Sequence, residues 1–281
     1  MDFINAIIVL LNYTIIPALT YGSQLALGAI FVTLIYGILR FANFATGDMM
    51  SFGTMFAVLL TYYFQSLGIN LGIFPTALIT IPLATFMMIL YMLSIDKFVF
   101  EYYRIKKSPP VQLAMVSVGV MFVTQAIIRI IIGPADRTFL DGEKFILKAS
   151  EFKEMTGLNE GLTIKSTQAI TIVITMIAVS IMFWFLNKTK TGTSMRAYSD
   201  NEDLALLSGI DPKKVVLITW IIAGILATIG GVLYGLDKSY RPFVYFNNML
   251  PIFAAAIAPV VALAASVAVT DLPPNDIVNV S

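Results

Sequence analysis

Asp48 and Arg129 are the two ionisable side chains set against the long apolar runs of this chain, and each falls toward the end of its run. Charged groups at such depth are costly in hydrocarbon and usually serve ion passage, proton relay or solute recognition. Ahead of Asp48, the stretch Arg40-Phe41-Ala42-Asn43-Phe44-Ala45-Thr46-Gly47-Asp48 interrupts the apolar pattern. Irregular backbone is tolerated in a bilayer only where protein or water satisfies it, so Asn43, Gly47 and Asp48 are expected inside a helix bundle or at its mouth. The competing reading is a polar turn at the membrane surface. Arg129 is expected to snorkel to the interface rather than to hold a solute.

Catalysis is a poor fit. The 281 residues contain no His and no Cys, which removes imidazole chemistry, thiolate metal sites and disulfides. No Gly-x4-Gly-Lys-Ser/Thr loop, His/Cys metal spacing or Gly-x-Ser-x-Gly elbow occurs, so an enzyme is not expected, no cofactor is expected on this chain, and any energy source must lie elsewhere. Hydrophobic residues make up 58% and charged residues 12%, against about a quarter charged in soluble domains. The expected fold is all-α: one polytopic membrane helix bundle over residues 1–281, with about seven to eight transmembrane helices. A net charge of +1 gives no pull on nucleic acid. Met1-Asp2-Phe3 lacks the positive region of a secretory signal, so no cleaved peptide is read.

The elements that position these residues follow from hydropathy and breakers. Residues 4–39 are too long for one span, and Pro17 with Tyr21-Gly22-Ser23 predicts a break into a short segment, Ile4–Ile16, and a span from about Tyr21 to Leu39. Further spans are expected at Met49–Phe64, Phe74–Ser94, Val111–Ile132, Gln168–Leu186, the run after Lys214, and Pro251–Val269. Lys97, Arg104, Lys106 and Lys107 mark one short basic loop; Lys188, Lys190, Arg196, Lys213 and Lys214 mark another. Both belong on the cytoplasmic side. Residues 133–168 then form an external lobe on the opposite face. In the run after Lys214, Ala223, Ala227, Gly231 and Gly235 recur every four residues, a stripe for close helix packing.

The second basic loop, residues 187–214, carries helix signals of its own. Ser199 and Glu202 have capping-box spacing, Leu204, Ala205, Leu206 and Leu207 continue the helix, and Gly209 is placed to end it. Asp211-Pro212 starts the next one. A helix of two or three turns is marginal alone and needs a partner; Leu204, Leu207 and Tyr198 offer apolar surface.

These residues carry a resemblance. Arg196-Ala197-Tyr198-Ser199-Asp200-Asn201-Glu202, Ala205, Gly209-Ile210-Asp211, Ala223-Gly224 and Gly230-Gly231-Val232-Leu233 resemble the coupling loop and following span of LivH-type branched-chain amino acid ABC transporter permeases (LivH/LivM). Tyr21-Gly22-Ser23, Tyr36-Gly37 and Asn43-Phe44-Ala45-Thr46-Gly47-Asp48 resemble the family's amino-terminal signature, with Thr46 where a histidine is usual. The resemblance covers about Tyr21–Ile257. The tail, residues 258–281, departs from it at Ala258-Pro259 and ends through Asp271-Leu272-Pro273-Pro274-Asn275, as a truncation or frame change would.

The resemblance implies a multi-pass permease subunit of a bacterial inner-membrane importer for branched-chain or other hydrophobic amino acids. Its implied partners are two ABC ATPases that carry the ATP, a second permease subunit (LivM-like) or a second copy, a periplasmic binding protein and the lipid bilayer. Urea, short amides and other amino acids are alternative substrates within that family. An ion-coupled secondary transporter and a non-transporting scaffold are the readings from other classes.

Overall fold

A computed structural model describes residues 2–69, 74–139, 145–156 and 160–258. The expected all-α membrane bundle is what it contains. Five helices are long and apolar enough to cross a membrane: α1 (Phe3–Leu39), α3 (Ala77–Ile105), α4 (Pro110–Ile132), α6 (Ser166–Lys188) and α9 (Pro212–Lys238). A sixth long helix, α2 (Thr46–Ser66), is buried along its first half by its neighbours. The last described helix, α10 (Pro242–Ala258), is shorter. The remainder of the expected last span and tail, residues 259–281, lies outside the described residues.

The predicted break in the first apolar run does not occur. Pro17 lacks the N–H that helix geometry requires, yet a five-residue π segment, Leu11–Ile15, re-pairs the backbone with Ile16 N–H bonded to the Leu11 carbonyl. Tyr21, Gly22 and Ser23 run through as ordinary helix. The result is one 37-residue rod rather than two elements. Its surplus length is held by the lobe: the Asn12 amide donates to the Gly161 carbonyl at 2.7 Å and accepts from Thr163 N–H at 2.9 Å.

α9 is the central helix, packed on α1, α2 and α3. Its slim face explains why. A β-carbon at Gly224 would lie 3.1 Å from the Ile89 side chain, and one at Gly230 3.1 Å from that of Met50. One at Gly231 would meet the Met50 carbonyl and the Thr54 hydroxyl. Ala223 and Ala227 are fully buried in the same stripe. Close backbone approach is how helices associate where solvent is as apolar as they are.

The basic loops share one end of the bundle, where α3 continues past Ile95 and Arg104 grips Asp96 with both guanidinium nitrogens. The lobe sits at the other end. In it, strands β1 (Phe145–Leu147) and β2 (Ile164–Lys165) pair antiparallel around a short helix, α5 (Ala149–Thr156). It is tied down by Tyr62 O–H donating to the Thr138 carbonyl at 2.8 Å, by reciprocal Arg137–Tyr240 backbone bonds, and by an Asp136–Arg241 ion pair at 2.9 Å.

Candidate functional site

Two places carry the polar residues of the sequence, one inside the bundle and one at its basic end.

The interior place is built on Asn43. After Arg40 takes a left-handed conformation (φ 59°), the chain leaves α1 and turns inward. Asn43 Oδ1 accepts from Ala45 N–H at 3.1 Å, a side-chain turn that sets up the start of α2. Thr46 O–H donates to the Asn43 carbonyl at 2.5 Å and fastens the turn. Phe44 N–H donates to Ser117 Oγ at 3.0 Å. Ser117 lies seven residues into α4, which puts this turn ~10 Å along that helix at 1.5 Å per residue. Asn43, Thr46 and Asp48 are all buried, so the surface-turn reading fails and the interior one holds.

Gly47 is there for a close approach: a β-carbon would collide with the Tyr245 carbonyl of α10. Phe44 stacks on Phe253 of α10 at 5.9 Å, and Tyr245 O–H donates to the Gly231 carbonyl at 2.8 Å. Asn43, Phe44, Gly47 and Asp48 therefore sit where α2, α4 and α10 meet.

Asp48, near the end of an apolar run in the sequence, is enclosed by protein. α2 begins within the bundle, so its first turn is deep, and Asp48 is 1% exposed. The partial positive charge of the helix start favours a carboxylate there. Its oxygen Oδ2 has no hydrogen-bond partner. Beside it on α4 are Gln125 and Arg129, and Arg129, an exposed residue, lays its guanidinium on the Phe243 ring at 4.2 Å. Gln125 was missed from sequence. Its signal was spacing: Gln125 and Arg129, four apart, share one helix face.

The second place is at the basic end. The loop between α6 and α9 is two helices, α7 (Lys190–Asp200) and α8 (Glu202–Leu207). Thr189 caps α7 by accepting from Gly192 N–H at 3.0 Å, so residues 194–200 are already helical. The expected Ser199 cap is therefore wrong. Asn201 caps α8, its side chain accepting from Leu204 N–H at 3.0 Å, while Ser199 O–H turns to α1 and donates to the Gly37 carbonyl at 3.0 Å. α8 is also shorter than expected, at six residues.

The stop and restart signals hold. Gly209 is left-handed (φ 81°), and Ile210 N–H to the Ala205 carbonyl with Gly209 N–H to the Leu206 carbonyl, both 3.0 Å, close α8 with a paired carbonyl cap. Asp211 accepts from Lys213 N–H at 2.9 Å to start α9. Ala205 is buried beneath α8. Leu204 (60% exposed) and Leu207 (84%) face outward. Tyr198 does not join them: it is buried and donates to Glu202 Oε1 at 2.7 Å. Burial and that acidic neighbour push its phenol pKa upward. Arg196 donates to Asn187 Oδ1 at 3.1 Å, and Ala197 accepts from the Asn201 N–H. A groove of about 430 Å³ on one side of Tyr198 and Glu202 and another of about 420 Å³ on the other leave α8 standing as a ridge.

The class these features define is a multi-pass membrane helix bundle with a buried polar turn and a short exposed helix pair at one end. The chain belongs to the family described as branched-chain amino acid transport system / permease component, whose model matches residues 14–270. It is 26% identical over 242 residues to the high-affinity branched-chain amino acid transport system permease protein LivH of Escherichia coli K12, covering 85% of this chain and 75% of that one. It is 23% identical over 250 residues to BraD of Pseudomonas aeruginosa, a permease protein of the same description, covering 86% and 77%. Over 95 residues it is 35% identical to the nucleoside ABC transporter permease protein NupB of Lactococcus lactis, covering 34% and 26%. No solved structure matches.

Proposed function

We propose that this chain is the membrane-spanning subunit of an ATP-binding-cassette importer in a bacterial inner membrane, passing branched-chain or other hydrophobic amino acids inward. ATP is bound and hydrolysed on two separate ATPase subunits, and this chain holds no nucleotide or other cofactor. α8 is the element those ATPases grip. A second permease subunit, LivM-like or another copy, completes the pathway, and a periplasmic binding protein delivers solute at the lobe over residues 133–168.

The observation that carries the reading is the exposure of Leu204 and Leu207 on a six-residue helix fixed at both ends. An isolated helix that short does not hold itself together in water. Here caps and buried Ala205 make it rigid, while its outer leucines are left for a partner. The relatives' names support the substrate class.

The test is co-purification with its partner ATPases and second permease subunit, followed by ATP-driven leucine uptake in proteoliposomes supplied with the binding protein. Leu204→Asp should abolish ATPase capture. Gly209→Val, which forces a branched side chain into a left-handed position at about 1–2 kcal/mol, should leave the protein inserted and uncouple hydrolysis from uptake. Uptake surviving both changes sinks the reading. A second reading, ion-coupled transport, draws on the deep burial of Asp48; uptake without ATPases that stops with a protonophore would favour it.

A further inference from the structure

We propose that Asp48 and Arg129 form the site that receives the charged head of a zwitterionic amino acid, the ammonium on Asp48 and the carboxylate on Arg129. The proposal rests on the amino-acid importer reading and assigns a binding role to two specific side chains of different helices.

Asp48 is 1% exposed; the Gln125 side chain hydrogen-bonds its carboxyl group, while Oδ2 has no hydrogen-bond partner. A buried charge is retained only where something pairs with it. The nearest cation, Arg129, forms no ion pair among the described residues; it is held against the Phe243 face at 4.2 Å instead. Opposite charges thus flank one cavity without closing on each other, and its other walls are Gln125, Ile128, Pro242 and Phe243. That combination is what a free amino acid presents in reverse: a cation, an anion and an apolar side chain on a single carbon. The Gln125 amide bonds Asp48 and keeps its remaining hydrogen-bonding capacity at the same wall.

The cavity is about 10 Å³, room for no more than one water, so this is a closed conformer. α10 contributes Pro242 and Phe243 to the wall, and Arg241 just ahead of it pairs with Asp136 of the lobe. Asp48 and Arg129 lie toward the lobe end of α4, the side from which an imported solute arrives.

The experiment uses the purified permease–ATPase complex without binding protein, with radiolabelled leucine displaced by leucinamide, which lacks the carboxylate, or by 4-methylpentanoate, which lacks the ammonium. Arg129→Gln should weaken leucine binding roughly ten- to hundredfold, to the wild-type level for leucinamide, and leave leucinamide unchanged. Asp48→Asn should weaken leucine equally and leave 4-methylpentanoate unchanged. Arg129→Lys should restore part of the loss. A purely structural effect would weaken all three ligands together. Wild-type leucine binding that neither variant alters, or that falls for every ligand alike, overturns the site, as does the absence of displaceable leucine binding. ATP-driven leucine uptake by the same complex in proteoliposomes, with the periplasmic binding protein added back, decides separately whether amino-acid import stands.

Discussion

Ser199 and Gly37 are 162 residues apart and joined by a hydrogen bond of 3.0 Å, from the hydroxyl on α7 to the carbonyl on the last turn of α1. Arg40, one turn on, answers by donating its guanidinium to the Ser199 carbonyl. α7 is thus fastened to the point where the chain turns inward toward Asn43, a direct link between the exposed helix pair and the start of α2. Arg40→Asn removes the guanidinium while keeping a residue that tolerates the left-handed backbone. Combined with Ser199→Ala, it should lower uptake severalfold at unchanged ATPase capture. Equal losses of capture and uptake would show that the clasp merely holds the docking surface in shape.

Which residue caps α8 is directly testable. Asn201→Ala should cost about 1 kcal/mol locally and speed hydrogen exchange at the amides of Leu204 and Ala205. Ser199→Ala should leave those amides protected, since its hydroxyl serves α1. The reverse pattern would restore Ser199 as the cap.

Local chemistry was legible in the sequence wherever one residue type sufficed to decide. Gly209 as a left-handed stop, Asp211-Pro212 as a start and the Ala223–Gly235 stripe as a packing face all stand because each depends on its own neighbours along the chain. Pro17 misled because breaking a helix is only one outcome; a π segment upstream is another, and nothing in Leu11–Ile15 announces it. Ser199 misled for a tertiary reason. Ser199 and Asn201 both suit a cap, and the choice is made by Gly37, which frees one and claims the other. The depth of Asp48 was hidden similarly: position in an apolar run measures distance along a helix, whereas α2 starts inside the bundle.

Asn12 is the only link from the first helical turns to the lobe among the described hydrogen bonds and ion pairs, and both halves of its amide are used. Asn12→Leu keeps the side-chain size and removes both bonds. Exchange should quicken at Thr163 and its neighbours with no change in the core of α9, and unchanged protection at Thr163 would mean that the β1–β2 pairing alone holds the lobe.

The glycines of the bundle are not equivalent, and that separates packing from flexibility. At Gly231 an added β-carbon meets the Met50 backbone carbonyl, an obstacle that cannot rotate away, so Gly231→Ala must push α2 from α9 at about 1–3 kcal/mol. At Gly119, in the middle of α4, nothing lies within 4 Å. Gly119→Ala there removes only the entropic penalty of glycine in a helix and should stabilise by about 0.5–1 kcal/mol. Thermal unfolding in detergent should therefore move several degrees down for the first variant and hold or rise for the second. Equal shifts would mean that α9 does not touch α2 as described, and with that contact would go the placement of Asn43 and Asp48 inside the bundle.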